Sequence, residues 1–166
     1  MTMRRRVVLS LGSNLGDSLD TLQRAVTALA EILHVVAVSG VYATEPVGLR
    51  DQPDFLNIVV LADTAMSSLS VLDQAQAIEA AHGRVRAGRW GPRTLDIDLI
   101  LVGDETRQDN RLVLPHPRVH ERAFVLVPWL EVEPAAVIPG YGRVDAVLSG
   151  LDLTGVRLLD DVTIEL

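Results

Sequence analysis

The segment Arg89-Trp-Gly-Pro-Arg-Thr-Leu-Asp-Ile-Asp-Leu-Ile100 joins a loop containing Gly and Pro to an apolar run that continues to Val102. The run predicts a buried strand over Leu95 to Val102. Successive side chains of a strand point to opposite faces, so Asp96 and Asp98 share one face, with Cα atoms about 6.5 Å apart. We expect the other face to carry the apolar side chains of Leu95, Ile97, Leu99 and Leu101.

Upstream of this segment, strand and helix patterns alternate. We predict strands over 4–11, 35–42 and 55–62, and helices over 17–33, capped by Asp17 or Ser18, and 67–82, ending before Gly83. Downstream, helices are predicted over 124–130 and 144–148, with a last strand over 156–159. The order predicts an α/β (α+β) fold, a ferredoxin-like split β-α-β sandwich with an antiparallel or mixed sheet and helices packed on its faces. The helices of the two halves are expected on one face.

Length and composition favour one domain over residues 1–166, since 166 residues at 48% hydrophobic content can bury one sizeable core. Cysteine is absent, which excludes disulfides and thiolate metal sites. No apolar run is long enough to span a bilayer, and we expect a cytoplasmic protein without a membrane partner. The net charge of −7 argues against a nonspecific nucleic-acid binder.

The two aspartates of the predicted strand point to a metal site. Carboxylates that converge on one spot raise each other's pKa unless a cation lies between them. Mg²⁺ suits such a pair, because it takes oxygen ligands and keeps positions for water and phosphate. A strand face open to solvent is the alternative for the motif alone. Immediately upstream lies a Gly-containing loop with four guanidinium groups, those of Arg84, Arg86, Arg89 and Arg93.

Guanidinium groups match phosphate oxygens, so this loop beside a carboxylate pair favours a phosphoryl-transfer site over a solvated basic loop. The chain contains no Lys and no Gly-x-x-x-x-Gly-Lys-Ser/Thr motif, which excludes a standard P-loop kinase. The stretch Leu11-Gly-Ser-Asn-Leu-Gly16 is compatible with backbone N–H groups near an anion. An ordinary strand-to-helix turn explains it equally well.

Two further stretches offer contacts for a flat ligand and for phosphates. Phe55 could stack on a ring and Asn57 could donate to and accept from a ring edge, although a core role for Phe55 stays open. His116 lies between two prolines and is held rigidly. Arg122 could reach the polyphosphate that the arginine loop is expected to bind, and Phe124 could supply a second aromatic face for the flat ligand.

Together these motifs resemble the 6-hydroxymethyl-7,8-dihydropterin pyrophosphokinase family. The resemblance extends from the first strand to about Leu130, and its most specific element is the segment from Arg89 to Ile100. The supporting motifs occur in the expected order: Leu-Gly-Ser-Asn, Thr-Glu-Pro-Val-Gly, Asp-Gln-Pro-Asp-Phe-Leu-Asn, Gly-Arg-Val-Arg and Leu-Pro-His-Pro.

The resemblance implies a ferredoxin-like monomer that binds ATP and two Mg²⁺ ions, with Asp96 and Asp98 as metal ligands. It implies a pterin pocket in which Phe55 and Phe124 sandwich the ring, formed by Thr44, Pro46, Val47, Phe55, Asn57, Trp90, Asp96 and Phe124. The implied nucleotide side comprises Gln76, Glu79, Arg84, Arg86, Arg89, Trp90, Arg93, His116 and Arg122. The implied catalytic groups are Arg84, Arg93, Asp96 and Asp98.

The implied reaction, a step of folate biosynthesis, is attack of the pterin hydroxymethyl oxygen on the β-phosphorus of ATP, with AMP leaving. Two other functions remain open on the residues alone. One is a regulatory module that holds a nucleotide without turnover, which has no need of two carboxylates facing a polyphosphate. The other is an acyl-phosphate or phosphate-ester hydrolase, which fold analogy does not exclude.

Overall fold

The computed structural model describes residues 3–14, 17–45, 54–82 and 95–166. In chain order the elements are strand β1 (Arg5–Ser13), helix α1 (Ser18–Ile32), strands β2 (His34–Val38), β3 (Tyr42–Thr44) and β4 (Phe55–Thr64), helix α2 (Ser68–Ala81), strands β5 (Asp96–Val102), β6 (Arg107–Gln108) and β7 (Val113–Leu114), a 3-10 turn (Val119–Glu121), helix α3 (Ala123–Val132), strands β8 (Val137–Ile138) and β9 (Gly142–Arg143), helix α4 (Val144–Leu148) and strand β10 (Val156–Leu158).

The main sheet has the order β10-β3-β4-β1-β5, and β2 also pairs with β4. Every pairing is antiparallel. In the unit β1-α1-β2 the two strands flank β4, and in the unit β4-α2-β5 the two strands flank β1. These are two interleaved split β-α-β units, so the predicted ferredoxin-like fold class is confirmed.

The strand predicted over 35–42 is wrong in one respect, because the chain forms two strands there. β2 ends at Val38 and β3 begins at Tyr42. Between them, the Ser39 N–H donates to the Val59 carbonyl, and the Ser39 hydroxyl accepts from the Val59 N–H at 2.9 Å. The side chain thus replaces a backbone acceptor, which interrupts the regular ladder.

Helices α1 and α2 follow their predicted patterns. The carboxylate of Asp17 accepts from the Asp20 N–H at 3.1 Å and caps α1, while the Ser67 hydroxyl accepts from the Ser70 N–H and caps α2. α2 ends at Ala81 with His82 as its C-cap, in agreement with the predicted helix over 67–82, and Gly83 lies outside the described residues. Both helices bury one face against the sheet, as the periodicity indicates.

Two apolar cores lie on opposite faces of the sheet. One packs beneath α1 and α2, and the other packs beneath α3 and α4 around the fully buried Trp129. The helices of the two halves therefore share one face as expected. The C-terminal helices cover the other face, where β10 extends the sheet beyond β3.

A β-bulge in β5 corrects one predicted side-chain orientation. Leu9 pairs with Leu99 and Val8 pairs with Leu101, so Ile100 is the extra residue. Ile100 and Leu101 consequently both join the core beneath α3, and Leu101 does not share a face with Leu99. The strand alternates regularly before the bulge, which leaves the predicted relation of Asp96 to Asp98 intact. Within the described ranges, no helix is both long and apolar enough to cross a membrane.

Candidate active site

Asp96 and Asp98 lie in the first half of β5, on the face of the sheet that α3 covers. Both are partly exposed, and the apolar neighbour between them, Ile97, is buried in the opposite core. Their register partners on β1 are Gly12 and Ser10, two small residues. Small side chains on the adjacent strand leave room above the sheet, so the carboxylates face an open space.

Gly12 is a close-approach position that the sequence analysis did not identify. It pairs with Asn57 on β4 and with Asp96 on β5, and a Cβ atom added to it would lie 2.9 Å from the Asn57 Oδ1 atom. A glycine inside a strand often marks such a contact, but the predicted strand ends at Leu11 while β1 extends to Ser13, so Gly12 carried no such signal. The absence of a side chain at Gly12 therefore leaves the space that the Asn57 amide occupies.

The amide of Asn57 is fixed before any ligand binds. The residue is 4% exposed, and its Nδ2 atom donates to the Thr44 hydroxyl at 2.7 Å. Thr44 is the last residue of β3 and pairs with Phe55, the first residue of β4. The predicted pterin contacts Thr44, Phe55 and Asn57 thus lie together at one end of the β3–β4 pair.

Arg122 connects the carboxylates to an aromatic ring. Its Nη1 atom lies 3.4 Å from the Asp98 Oδ2 atom, and its guanidinium carbon lies 5.7 Å from the centroid of the Phe124 ring. The second contact is a cation–π interaction. Phe124 occupies the first turn of α3 and packs against the same core as Val59 of β4. Arg122 and Phe124 therefore reach the candidate site from α3.

His116 is held by its backbone and its ring. Its N–H donates to the Ile100 carbonyl at 2.9 Å, and its Nδ1 atom accepts from the Arg118 N–H at 3.2 Å. Burial lowers the pKa of His116, Arg122 and Arg118 lower it further, and Asp98 opposes them. The lowered pKa favours the neutral imidazole, and because Nδ1 accepts, the neutral form carries its proton on Nε2.

Helix α2 supplies the opposite wall. Glu79 is 7% exposed, and its Oε2 atom accepts from the Ile97 N–H at 2.9 Å, which anchors α2 between the two aspartates. Gln76 lies about one turn earlier on the same side of the helix. An open cleft of about 350 Å³ is lined by Gln76, Glu79, Asp96, Asp98 and His116, among others. Of the described residues on the predicted nucleotide side, Gln76, Glu79 and His116 line this cleft, and Arg122 contacts it through Asp98.

The turn between β6 and β7 also lines this cleft, a role that the sequence analysis missed. The Asp109 carboxylate accepts from the N–H groups of Arg111 and Leu112, and these hydrogen bonds lower the pKa of Asp109. Arg111 in turn lies 2.6 Å from the Asp73 carboxylate on α2. The run Asp-Asn-Arg at 109–111 is typical of a turn, but its position over the cleft depends on this contact with α2.

Several predicted contacts lie outside the described residues. They belong to the basic loop and to the segment after β3, and they are Pro46, Val47, Arg84, Arg86, Arg89, Trp90 and Arg93. Their roles stay predictions.

The carboxylate pair fits a partly open metal site. In the described part of the chain, no group of three or more His, Asp or Glu side chains forms a metal cage. Two carboxylates beside a cleft suit an ion that completes its shell with water and ligand oxygens, as Mg²⁺ commonly does. Asp96 and Asp98 therefore fit the Mg²⁺ ions that the resemblance implies.

Comparisons with known proteins match the sequence to one family. The family model described as 7,8-dihydro-6-hydroxymethylpterin-pyrophosphokinase (HPPK) matches residues 8–134. A protein of Methylorubrum extorquens named 2-amino-4-hydroxy-6-hydroxymethyldihydropteridine pyrophosphokinase is 46% identical over 157 residues, covering 93% of this chain and 99% of its own. Proteins of the same name from Haemophilus influenzae and Pseudomonas aeruginosa are 43% and 40% identical, over 79% and 95% of this chain and 83% and 98% of theirs.

Solved structures show the same fold. Wild-type HPPK-DHPS of Plasmodium falciparum matches with a TM-score of 0.71 at 13% identity, and its crystal structure with STZ-DHP matches with a TM-score of 0.69 at 14% identity. Each alignment covers 90% of this chain, which spans less than half of those longer chains, 45% and 42%. With the family model matching most of the sequence, the chain belongs to the 7,8-dihydro-6-hydroxymethylpterin-pyrophosphokinase family.

Proposed function

We propose that the chain transfers diphosphate from ATP to 6-hydroxymethyl-7,8-dihydropterin, a step of folate biosynthesis that yields AMP and (7,8-dihydropterin-6-yl)methyl diphosphate. Arg122 carries this proposal, because one side chain contacts both Asp98 and the Phe124 ring. The charged cleft and the aromatic position are therefore adjacent. A transferase that joins a polyphosphate to a heteroaromatic alcohol requires this adjacency.

The pterin would bind above the β3–β4 pair, between the rings of Phe55 and Phe124. Asn57 offers the ring edge an acceptor, Oδ1, whose orientation is fixed by the hydrogen bond from Nδ2 to Thr44. A preoriented amide loses little conformational entropy on binding, which favours affinity and a single ring orientation. In the proposed complex the hydroxymethyl group would point toward Asp96 and Asp98.

ATP would occupy the cleft between α2 and β5, with its reacting phosphates near the two aspartates. Neutral His116 can donate from Nε2 to a phosphate oxygen, and Arg122 supplies positive charge beside Asp98. Asp96 and Asp98 would hold two Mg²⁺ ions, and bound Mg²⁺ would supply positive charge for the phosphate oxygens and lower the pKa of the attacking hydroxyl group. The hydroxymethyl oxygen then attacks the β-phosphorus in line, and AMP leaves, with positioning and electrostatics supplying most of the rate.

We also propose that the chain is one domain that acts as a cytoplasmic monomer. Its own helices cover both faces of the central sheet, so the two cores need no second chain to complete them. The net charge of −7 fits small-molecule partners better than nucleic acid.

Replacing Arg93 with Ala is expected to lower kcat more than it weakens ATP binding. Arg93 lies outside the described residues, and its predicted task is to neutralise charge that develops on the transferred phosphates. Loss of one such group typically lowers kcat about a hundredfold or more, while we expect the Kd for ATP to rise only a few fold. Steady-state kinetics and calorimetric titration measure the two effects, with Arg24→Ala on the exposed side of α1 as control. A defect in ATP affinity alone would contradict this role.

Replacing Gly12 with Ala is expected to weaken pterin binding about tenfold, because the new Cβ would displace the Asn57 amide from its position 2.9 Å away. Titration of the pterin measures the change. Gly150→Ala is a matched control, since a Cβ there meets its nearest neighbour at an ordinary 3.8 Å. An unchanged pterin Kd in Gly12→Ala would mean that Gly12 is not required for the close approach.

The reaction is tested by mixing the purified protein with ATP, Mg²⁺ and 6-hydroxymethyl-7,8-dihydropterin and separating the nucleotides by chromatography. We expect AMP only when the pterin is present. ADP or orthophosphate would instead indicate a different transferase or a hydrolase. Tight ATP binding without turnover would support a regulatory module.

A further inference from the structure

Glu131, near the end of α3, joins this helix to β3. Both oxygens of its carboxylate accept from the Gly40 N–H at 3.1 Å, and Oε1 also accepts from the Tyr42 hydroxyl at 2.7 Å. Gly40 directly precedes Val41 and β3, and Tyr42 is the first residue of that strand. One carboxylate thus holds the start of β3 at two points.

Glu131 packs closely against Gly40, and no room is left there for a side chain. A Cβ atom on Gly40 would lie 3.3 Å from the Glu131 Oε1 atom and 2.8 Å from a methyl carbon of Leu158. Tyr42 is 7% exposed, and its burial together with the hydrogen bond to Glu131 raises the pKa of its hydroxyl. The hydroxyl stays protonated and donates throughout the physiological pH range.

The two elements joined by Glu131 carry opposite sides of the proposed pterin site. On α3, Phe124 precedes Glu131 by seven residues, close to two helical turns, so both lie on the same flank. On β3, Tyr42 pairs with Asn57, and Thr44, two residues further along, accepts the Asn57 amide hydrogen bond. Any shift of β3 relative to α3 therefore changes the distance between the Phe124 ring and the Thr44–Asn57 pair.

We propose that Glu131 is a positioning residue that sets the spacing between α3 and β3 and thereby the affinity for the pterin, without contacting either substrate. This inference rests on the proposed function, because it takes the space between Phe124 and Asn57 to be the pterin site. The nucleotide cleft lies along α2 and β5, which Glu131 does not join. Loss of the Glu131 carboxylate is therefore expected to weaken pterin binding and to leave ATP binding unchanged.

The test measures the Kd of 6-hydroxymethyl-7,8-dihydropterin and of a non-hydrolysable ATP analogue for the wild type and for Glu131→Ala. We expect the pterin Kd, and the pterin KM in turnover, to rise about tenfold. The Kd of the ATP analogue and kcat at saturating pterin are expected to stay within about twofold. Tyr42→Phe removes one of the hydrogen bonds and should give a smaller rise, and Glu131→Gln, which retains a carbonyl acceptor, should restore part of the affinity.

Glu133→Ala is the matched control. Glu133 follows the same helix but accepts from Trp129 and Arg6, so it anchors α3 to β1 and not to β3. It is expected to lower thermal stability while leaving the pterin Kd within about twofold. An unchanged pterin Kd in Glu131→Ala, or an equal loss of affinity for both ligands, would overturn the inference. The proposed function would still hold in that case if the wild type turns over both substrates. A wild type that binds no pterin would overturn both.

Discussion

Replacing Asp98 with Ala is expected to lower kcat about a thousandfold, the largest effect of any single substitution considered for this chain. The Asp98 carboxylate is one of two proposed metal ligands and also lies 3.4 Å from Arg122. Its removal would take away one of the two carboxylates proposed to hold the metal ions beside the transferred phosphates. AMP formation with both substrates saturating measures the effect.

The fold is expected to survive this substitution. The Asp98 side chain is 42% exposed, and an ion pair of this kind contributes at most about 1 kcal/mol to stability. Thermal unfolding of the variant should therefore stay close to that of the wild type. Asp104→Ala, an exposed aspartate in the turn after β5, serves as the control with normal activity expected. Near-normal turnover in Asp98→Ala would refute the metal role.

Replacing Asn57 with Ala is expected to weaken pterin binding about a hundredfold. The amide is buried and prearranged, so its loss leaves the ring edge of the bound pterin without its hydrogen-bond partner in a buried position. Buried polar groups left without partners cost about 1–3 kcal/mol each. Fluorescence or calorimetric titration with the pterin measures the Kd, and the affinity for an ATP analogue should not change.

Two substitutions at Thr44 test whether pterin binding depends on the orientation of the Asn57 amide as well as on its presence. Thr44→Ser keeps the hydroxyl acceptor and is expected to bind pterin like the wild type. Thr44→Val keeps the shape but removes the acceptor, so it should weaken binding by an intermediate amount. If Asn57→Ala binds pterin within about twofold of the wild type, the pterin does not lie on this part of the sheet.

Most of the fold followed from local patterns. The apolar periodicity and the caps at Asp17 and Ser67 predict α1 and α2, and alternation predicts β5. The bulge at Ile100 and the break at Ser39 were not predictable, because both depend on how one strand aligns with its neighbour. A pattern along one strand contains no information about register on the next.

The candidate site likewise contains residues that could be predicted from the sequence and residues that could not. Asp96 and Asp98 could be found from spacing alone, and Asn57, His116 and Arg122 from residue type and resemblance. Gly12 and Glu131 could not, since their importance comes from contacts with residues distant in sequence. Such contacts form only when β1 lies between β4 and β5, and when α3 crosses toward β3.

Transfer of two phosphates together from ATP to the pterin can be observed by ³¹P NMR of the completed reaction. We predict equal amounts of AMP and of a pterin product with two mutually coupled phosphorus signals, formed by the wild type and not by Asp98→Ala. ADP together with a pterin product that has a single phosphorus signal would contradict this transfer, as would orthophosphate released without modification of the pterin.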